Sequence, residues 1–170
     1  EWGIEKLLNM IEGMFAFVIY DKLKKKIFIA RDRFGEKPLY YFHNNEKFIF
    51  SSELKGILAN KDIQKEIDPN SLYQFLAVHF VSGEKTILKN IFRLKAGHYL
   101  ILRTDSLSFD LRKYWELNER KNLDSFEEAK NKIRILLEKS IKNRMIADVP
   151  VGAFLSGGVD SSIMVGIMSK

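Results

Sequence analysis

A loop rich in glycine and serine, residues 156–162, separates two apolar segments near the end of the 170-residue chain. Residues 149–155, before the loop, are typical of a buried strand, and residues 163–168, after it, are typical of a helix start. Together with the amphipathic helix predicted before them, they follow the order helix, strand, glycine loop, helix, which opens an α/β domain with a parallel sheet. One strand cannot make a sheet, so we expect this domain to continue beyond residue 170.

The loop reads Ser-Gly-Gly-Val-Asp-Ser-Ser, which predicts a cradle for phosphate. Gly157 and Gly158 allow a sharp turn and a close approach to a ligand, and the following helix presents free N–H groups to an anion. Hydroxyl groups are added by Ser156, Ser161 and Ser162. Asp160 would repel phosphate unless a divalent cation bridges the two. No lysine lies in the loop, so it is not a Walker A site; the alternative is a serine-rich turn without a ligand.

The first hundred residues favour antiparallel strands. The apolar run at 14–20 predicts a strand buried on both faces, and residues 26–30 predict its hairpin partner. Residues 39–42 and 48–50 predict a second hairpin, and residues 97–102 a further strand.

Helices and one connection complete the predicted organisation. A short helix is expected after Ser52, its predicted N-cap, and another opens at Asp68. The largely polar residues 105–124 are the expected connection between two domains. Asp124 then begins a capping-box pattern ahead of a long amphipathic helix that should end near Ala147.

The composition excludes several classes of protein. With no cysteine, these residues form no disulfide, thiolate metal site or thiol nucleophile. The longest apolar run is seven residues, short of the roughly 20 that span a bilayer. The three histidines lack ligand spacing, and we expect His79 to be a core residue. The net charge is +6; the basic cluster at 22–26 predicts a solvated hairpin tip, with a functional basic patch as the alternative.

Two groups of motifs resemble the glutamine-hydrolysing asparagine synthetases. The loop matches the Ser-Gly-Gly-x-Asp-Ser pattern of the ATP pyrophosphatase superfamily, to which their synthetase domain belongs. Residues 13–21, 30–41 and 50–55 resemble the later part of their class II glutaminase domain. Within this part, Arg31, Asp32 and Arg33 are interpreted as a structural charge cluster at a strand end rather than as a catalytic set.

The resemblance implies a fold of class α+β followed by α/β. Residues 1–104 would be the C-terminal part of a glutaminase sandwich of the N-terminal-nucleophile type, and residues 105–124 a linker. Residues 125–170 would be the first helix, strand, loop and helix of a doubly wound domain of the adenine-nucleotide α-hydrolase type. No residue of the family's glutaminase nucleophile set is matched, so the chain is expected to be an internal piece that is inactive by itself.

The activity implied for the longer protein is that of a carbon–nitrogen ligase with glutamine as amide donor. Aspartate, glutamine and ATP would give asparagine, glutamate, AMP and pyrophosphate through an aspartyl-adenylate and channelled ammonia. ATP and Mg²⁺ are the implied cofactors, and Asp160 would hold the metal. The implied ATP-binding residues are Leu155, Ser156, Gly157, Gly158, Val159, Asp160, Ser161 and Ser162. Met14 and Leu155 would line the ammonia tunnel.

The resemblance also implies small-molecule partners, glutamine and aspartate or another carboxylate, with no nucleic acid or membrane involved. It implies a cytoplasmic location and allows a homodimer. Three alternatives remain open. The acceptor could be another carboxylate, such as a sugar; the chain could come from a tRNA-modifying enzyme with a pyrophosphate loop; or it could come from a catalytically degenerate binding protein.

Overall fold

The structure, a computed structural model, describes residues 3–119 and 124–169, which form two compact units, residues 1–117 and 118–170. The described helices of the first unit are α1 (Ile4–Met10), α2 (Leu54–Leu58) and α3 (Pro69–Val78). Its described strands are β1 (Ala16–Asp21), β2 (Lys26–Arg31), β3 (Tyr40–His43), β4 (Phe48–Ser51), β5 (Ile91–Arg93), β6 (His98–Arg103) and β7 (Phe109–Lys113). The second unit contains α4 (Phe126–Arg144) and α5 (Val159–Met168).

The strands of the first unit make two antiparallel sheets. The first sheet has the order β1-β2-β6-β7 and the second has the order β4-β3-β5. Ile29 of β2 lies opposite Val18 of β1 on one side and Leu100 of β6 on the other. Both predicted hairpins, β1-β2 and β3-β4, are confirmed, as is the strand predicted at 97–102.

The two sheets pack against each other because alternate residues along each strand point to opposite faces. Ile29 and Leu100 of the first sheet meet Tyr41 of the second in one buried cluster. On the outer face of the first sheet, Tyr99 packs against Leu8 of α1. Each fully buried side chain of this size contributes about 1.5–3 kcal/mol to folding.

The outer face of the second sheet is covered by α2. Ile91 of β5 forms a buried cluster with Ile57 of α2 and with Ile63, which follows that helix. The order of layers is therefore α1, first sheet, second sheet, α2. The first unit is a mixed α and β structure built on antiparallel sheets, and its main core lies between them.

The prediction that the strand at 14–20 is buried on both faces is wrong. Val18, Ile19 and Tyr20 of β1 are 37%, 41% and 52% exposed. The reason is position: β1 lies at the edge of its sheet, where β2 is its one neighbour among the described strands. The apolar run therefore predicted that this segment is a strand, but not that the strand lies at the edge of the sheet.

Three elements of the first unit lack a strong local pattern, and the sequence did not predict them: α1, β5 and β7. β7 lies within residues 105–124, the expected connection, and pairs with β6 through Phe109 opposite Leu102. The long-range pairing, rather than the polar sequence of β7, makes it a strand.

Two local expectations in the first unit also differ from the structure. Ser52 does not cap α2, because Glu53 occupies the N-cap position and forms no side-chain cap bond. His79 is exposed rather than buried in the core, and it ends α3 in a left-handed conformation with φ 61°. The predicted start of α3 is confirmed, since the Asp68 side chain accepts the Ser71 N–H at 2.8 Å and Pro69 follows the cap.

In the second unit, α4 begins one residue later than predicted. Ser125, not Asp124, is the N-cap, and it forms a capping box with Glu128. Asp124 instead accepts hydrogen bonds from Lys132 Nζ at 2.8 and 2.7 Å. The helix ends at Arg144, before the predicted Ala147.

Residues 149–155 are not a strand in this structure. A strand needs a neighbour to pair its N–H and C=O groups, and the described part of the second unit contains no other strand. α4 and α5 contact each other, but apolar side chains such as Leu136 and Ile163 stay exposed. The doubly wound domain therefore stays a prediction. Within residues 3–119 and 124–169, no helix has both the length and the apolar character needed to cross a membrane.

Candidate functional site

The serine–glycine loop leads directly into α5. Gly157 has φ 82°, a conformation that L side chains rarely adopt, and it makes the turn that aims the chain into the helix. Gly158 is the N-cap residue, and Asp160 lies in the first helical turn. The loop and the helix start predicted from the sequence are therefore found together at one helix N-terminus.

The three predicted hydroxyl groups also meet at this N-terminus. Ser161 and Ser162 donate their hydroxyls to the Gly158 carbonyl at 3.0 and 2.8 Å. The hydroxyls of Ser156 and Ser161 are 3.0 Å apart. This internal bonding is something the sequence did not predict. A bound anion would have to compete for these hydroxyls, whose bonds in the exposed loop are easily exchanged with solvent or ligand.

Gly158 has no conformational need to be glycine, because its φ is −76°. A Cβ added there would project toward the hydroxyls of Ser156 and Ser161, at 3.7 and 3.9 Å. As N-cap, Gly158 also supplies no side-chain acceptor, whereas Ser, Thr, Asp or Asn would occupy one of the first N–H groups of the helix. The first N–H groups of the helix therefore meet no side-chain acceptor from the N-cap residue, which fits a bound phosphate.

Asp160 is exposed at the same helix end. No group of three or more His, Cys, Asp or Glu residues in the described ranges could hold a metal ion. Asp160 alone is too few ligands for a hard cation, which prefers about six oxygens. A cation here would depend on phosphate oxygens and water as well as on Asp160.

The remaining predicted site residues are apolar. Leu155 and Val159 flank the glycines and are 62% and 74% exposed. Met14 belongs to the first unit, where it precedes β1 and is 45% exposed. Each of the three therefore presents an apolar side chain at the surface of its own unit.

The structural interpretation of Arg31 and Asp32 is confirmed. Arg31 donates to the carbonyls of Lys37, Leu94 and Gly35, at 2.7, 2.7 and 2.5 Å. The Asp32 carboxylate accepts four N–H groups, those of Phe15, Phe34, Glu36 and Lys37. Both side chains are buried, and these hydrogen bonds go to backbone groups. The two residues therefore stabilise the conformation of a loop rather than face a substrate.

Comparison with known families follows the same division into two parts. The family model described as "Glutamine amidotransferase domain" matches residues 1–115, which is well over half of the chain. The chain belongs to the glutamine amidotransferase domain family. A second family model, described as "Asparagine synthase", matches residues 132–170 and so includes the loop at 156–162.

Curated relatives contain both parts of this amidotransferase chain. A Methanocaldococcus jannaschii protein named "Putative asparagine synthetase (glutamine-hydrolyzing) 2" is 46% identical over 160 residues, covering 93% of the chain. A Bacillus subtilis protein named "Asparagine synthetase (glutamine-hydrolyzing) 3" is 34% identical over 168 residues, covering 98% of the chain. A Gibberella zeae protein named "Amidase chry2" is 32% identical over 166 residues, covering 95%. The chain spans 31%, 27% and 24% of their respective lengths.

Proposed function

We propose that this chain joins the end of a glutamine amidotransferase domain to the start of an ATP-dependent synthetase domain, within a glutamine-hydrolysing asparagine synthetase. The observation that carries the proposal is the order of the two family matches on one chain, with the Ser-Gly-Gly-Val-Asp-Ser-Ser loop inside the second. Such a protein is a carbon–nitrogen ligase. It releases ammonia from glutamine in one domain and uses it in the other.

The first unit is proposed to be the C-terminal part of a glutaminase sandwich. Its two packed antiparallel sheets with a helix on each outer face support this assignment. The strand β7 belongs to the first unit although it lies within residues 105–124, the proposed linker. The second unit is proposed to open the doubly wound synthetase domain.

The loop at 156–162 is proposed to bind the phosphates of ATP. The first N–H groups of α5 and the hydroxyls of Ser156, Ser161 and Ser162 would contact phosphate oxygens, with Ser161 and Ser162 giving up their bonds to Gly158. Asp160 would help to hold Mg²⁺, which when bound neutralises charge on the leaving pyrophosphate. The glycine at the N-cap position supports this role, because it adds no side chain that would compete for the first N–H groups of α5.

The exposed apolar side chains Met14 and Leu155 are proposed to line the path of ammonia. An apolar wall favours neutral ammonia over ammonium, because burying an unpaired charge is costly. Nitrogen would then reach the acyl-adenylate as a nucleophile rather than as a cation. Aspartate is the proposed acceptor.

A second acceptor is worth testing because one relative has a different kind of name. The Gibberella zeae protein "Amidase chry2" shares 32% identity with this chain over 166 residues. The shared region therefore also occurs in a protein that is not named for asparagine. The corresponding alternative for this chain is amidation of a different carboxylate by the same ATP chemistry.

The proposal is tested with the full-length protein, supplied with ATP, magnesium, glutamine and aspartate. We expect asparagine to form together with AMP and pyrophosphate in equal amounts. Release of ADP would refute the role given to the loop. Adenylation that requires a carboxylate other than aspartate would keep the loop assignment and replace the acceptor.

Asp160→Ala tests the metal role, with Glu127→Ala as its control. Both variants remove one acid from the first turn of a helix in the second unit. Asp160→Ala should lower AMP formation by about 10²–10³-fold, the usual loss when a group that stabilises developing charge is removed, while hydrolysis of glutamine persists. Glu127→Ala should change neither rate. An Asp160→Ala enzyme with wild-type AMP formation would remove Asp160 from the site.

A further inference from the structure

Two cationic residues face each other across neighbouring strands of the first sheet. Lys26 of β2 and Arg103 of β6 are direct partners in the antiparallel register. By alternation along the strands, both share the sheet face of Ala30 and Tyr99. Like charges placed directly opposite each other destabilise a sheet unless something neutralises them.

The nearby carboxylates are committed to other cations. Asp21, the β1 partner of Lys26, accepts the Lys24 N–H at 3.0 Å and lies 3.7 Å from Lys24 Nζ. Asp110 and Glu5 lie 3.2 and 3.6 Å from Arg112. Within the described residues, neither Lys26 nor Arg103 has a carboxylate oxygen within 4.0 Å.

The pair lies beside a surface cleft of about 140 Å³, whose charged lining residues are Lys26, Arg103, Arg112 and one acid, Asp110. One water needs roughly 10–15 Å³ by this measure, so the cleft has room for a group of several atoms. The two hairpin turns next to it are tied together. Thr104 donates its N–H and its hydroxyl to the Lys25 carbonyl, at 3.0 and 3.1 Å. The basic tip is therefore anchored rather than a free loop.

We propose that Lys26 and Arg103 form a binding site for a phosphoryl group, carried by a small molecule, on the glutamine amidotransferase unit. Arg103 offers a planar set of N–H donors that matches phosphate oxygens, and Lys26 adds a compact positive charge. A bound dianion relieves the repulsion between the two side chains. This site lies in the first unit and uses none of the residues of the 156–162 loop. Its test is therefore independent of the test of the proposed function.

The test uses inorganic phosphate as probe and the full-length protein. Binding is measured by calorimetric titration at constant ionic strength, with chloride replacing phosphate in the blank. The double variant Lys26→Gln/Arg103→Gln should weaken one class of phosphate site by about tenfold or more, the loss expected from removing charge-assisted hydrogen bonds. The control Lys61→Gln/Lys65→Gln removes the same charge from exposed positions of the same unit and should leave that affinity unchanged.

The exchange Lys26→Arg/Arg103→Lys keeps both positive charges and should retain phosphate binding. Loss of phosphate affinity in this variant would contradict a site that depends on the two charges. In phosphate-free buffer, the double Gln variant should melt close to wild type, since it removes both the repulsive pair of Lys26 with Arg103 and the attractive cross-strand pair of Lys26 with Asp21. Unchanged phosphate affinity in the double Gln variant would overturn the proposal. An equal loss in the Lys61/Lys65 control would also overturn it, because binding would then follow net charge alone.

Discussion

Arg31 and Asp32 are adjacent in sequence, yet they bind opposite kinds of backbone group in the same loop. The Arg31 guanidinium donates to three carbonyls, and the Asp32 carboxylate accepts four N–H groups. Both contact Lys37, through its carbonyl and its N–H respectively. Within residues 33–37, these two side chains at the end of β2 bind three N–H groups and two carbonyl groups.

Asp32→Asn should destabilise the first unit. The amide keeps one acceptor oxygen but turns an NH₂ group toward N–H donors that the second carboxylate oxygen accepts in wild type. We expect a loss of about 2–3 kcal/mol in the free energy of unfolding, as for buried hydrogen bonds to a charged group. Urea unfolding of the full-length protein measures it. Asp62→Asn, at an exposed ion pair with Lys47, should cost less than about 1 kcal/mol; equal losses would contradict the role of Asp32.

Acid should remove the contribution of Asp32. Burial alone would raise the pKa of this carboxyl, but its four backbone N–H bonds outweigh burial and hold the pKa below its ordinary value. The folded protein therefore binds this proton less readily than the unfolded chain. The stabilisation is present above the unfolded pKa of about 3.9 and is lost as the pH falls through the folded value. The measurement is the free energy of unfolding at a series of decreasing pH values, starting from neutral pH. It should fall less steeply for Asp32→Asn than for wild type. An equal decrease in the two proteins would contradict the prediction.

Gly97→Ala and Gly83→Ala separate steric contact from backbone strain. Both glycines have positive φ, 66° and 73°, so either alanine should cost about 1–2 kcal/mol for the left-handed conformation. A Cβ at Gly97 would also lie 2.5 Å from the Trp115 carbonyl oxygen, whereas at Gly83 it would meet nothing within 4 Å. We expect Gly97→Ala to lower the melting temperature clearly more than Gly83→Ala. Equal shifts would mean that the contact with Trp115 relaxes freely.

Gly158→Ala should affect the ligand more than the fold. Its φ of −76° suits alanine and its Cβ meets only ordinary contacts, so the expected cost to the protein without nucleotide is that of a poorer N-cap residue, about 0.5–1 kcal/mol. The methyl group would occupy space kept for phosphate, so the KM for ATP should rise by about tenfold or more, as expected when a fitted group is displaced.

Gly166→Ala is the matched control, since it lies within α5 with nothing within 4 Å of an added Cβ. It should stabilise the helix by about 0.5–1 kcal/mol and leave the KM for ATP unchanged. If both alanine variants bind ATP like wild type, the space over Gly158 has no role in binding the nucleotide.

Local patterns in the sequence predicted the parts of this protein that are decided locally. Asp68 and Pro69 start a helix because capping needs only the next few residues. The hairpins follow from apolar runs on either side of a turn. The glycine–serine loop follows from its own composition, and Gly157 adopts the positive φ that only such a residue takes without strain.

Tertiary structure decided which elements are neighbours. Nothing near Phe109–Lys113 marks it as a strand until β6 lies beside it, and the apolar run of β1 is exposed because it lies at a sheet edge. Likewise, Lys26 lies opposite Arg103 only because of the register between β2 and β6, two strands that are far apart in the sequence. Local sequence fixes backbone preference, but hydrogen bonding and burial between distant segments fix pairing and exposure, because those energies exist only once the chain has folded.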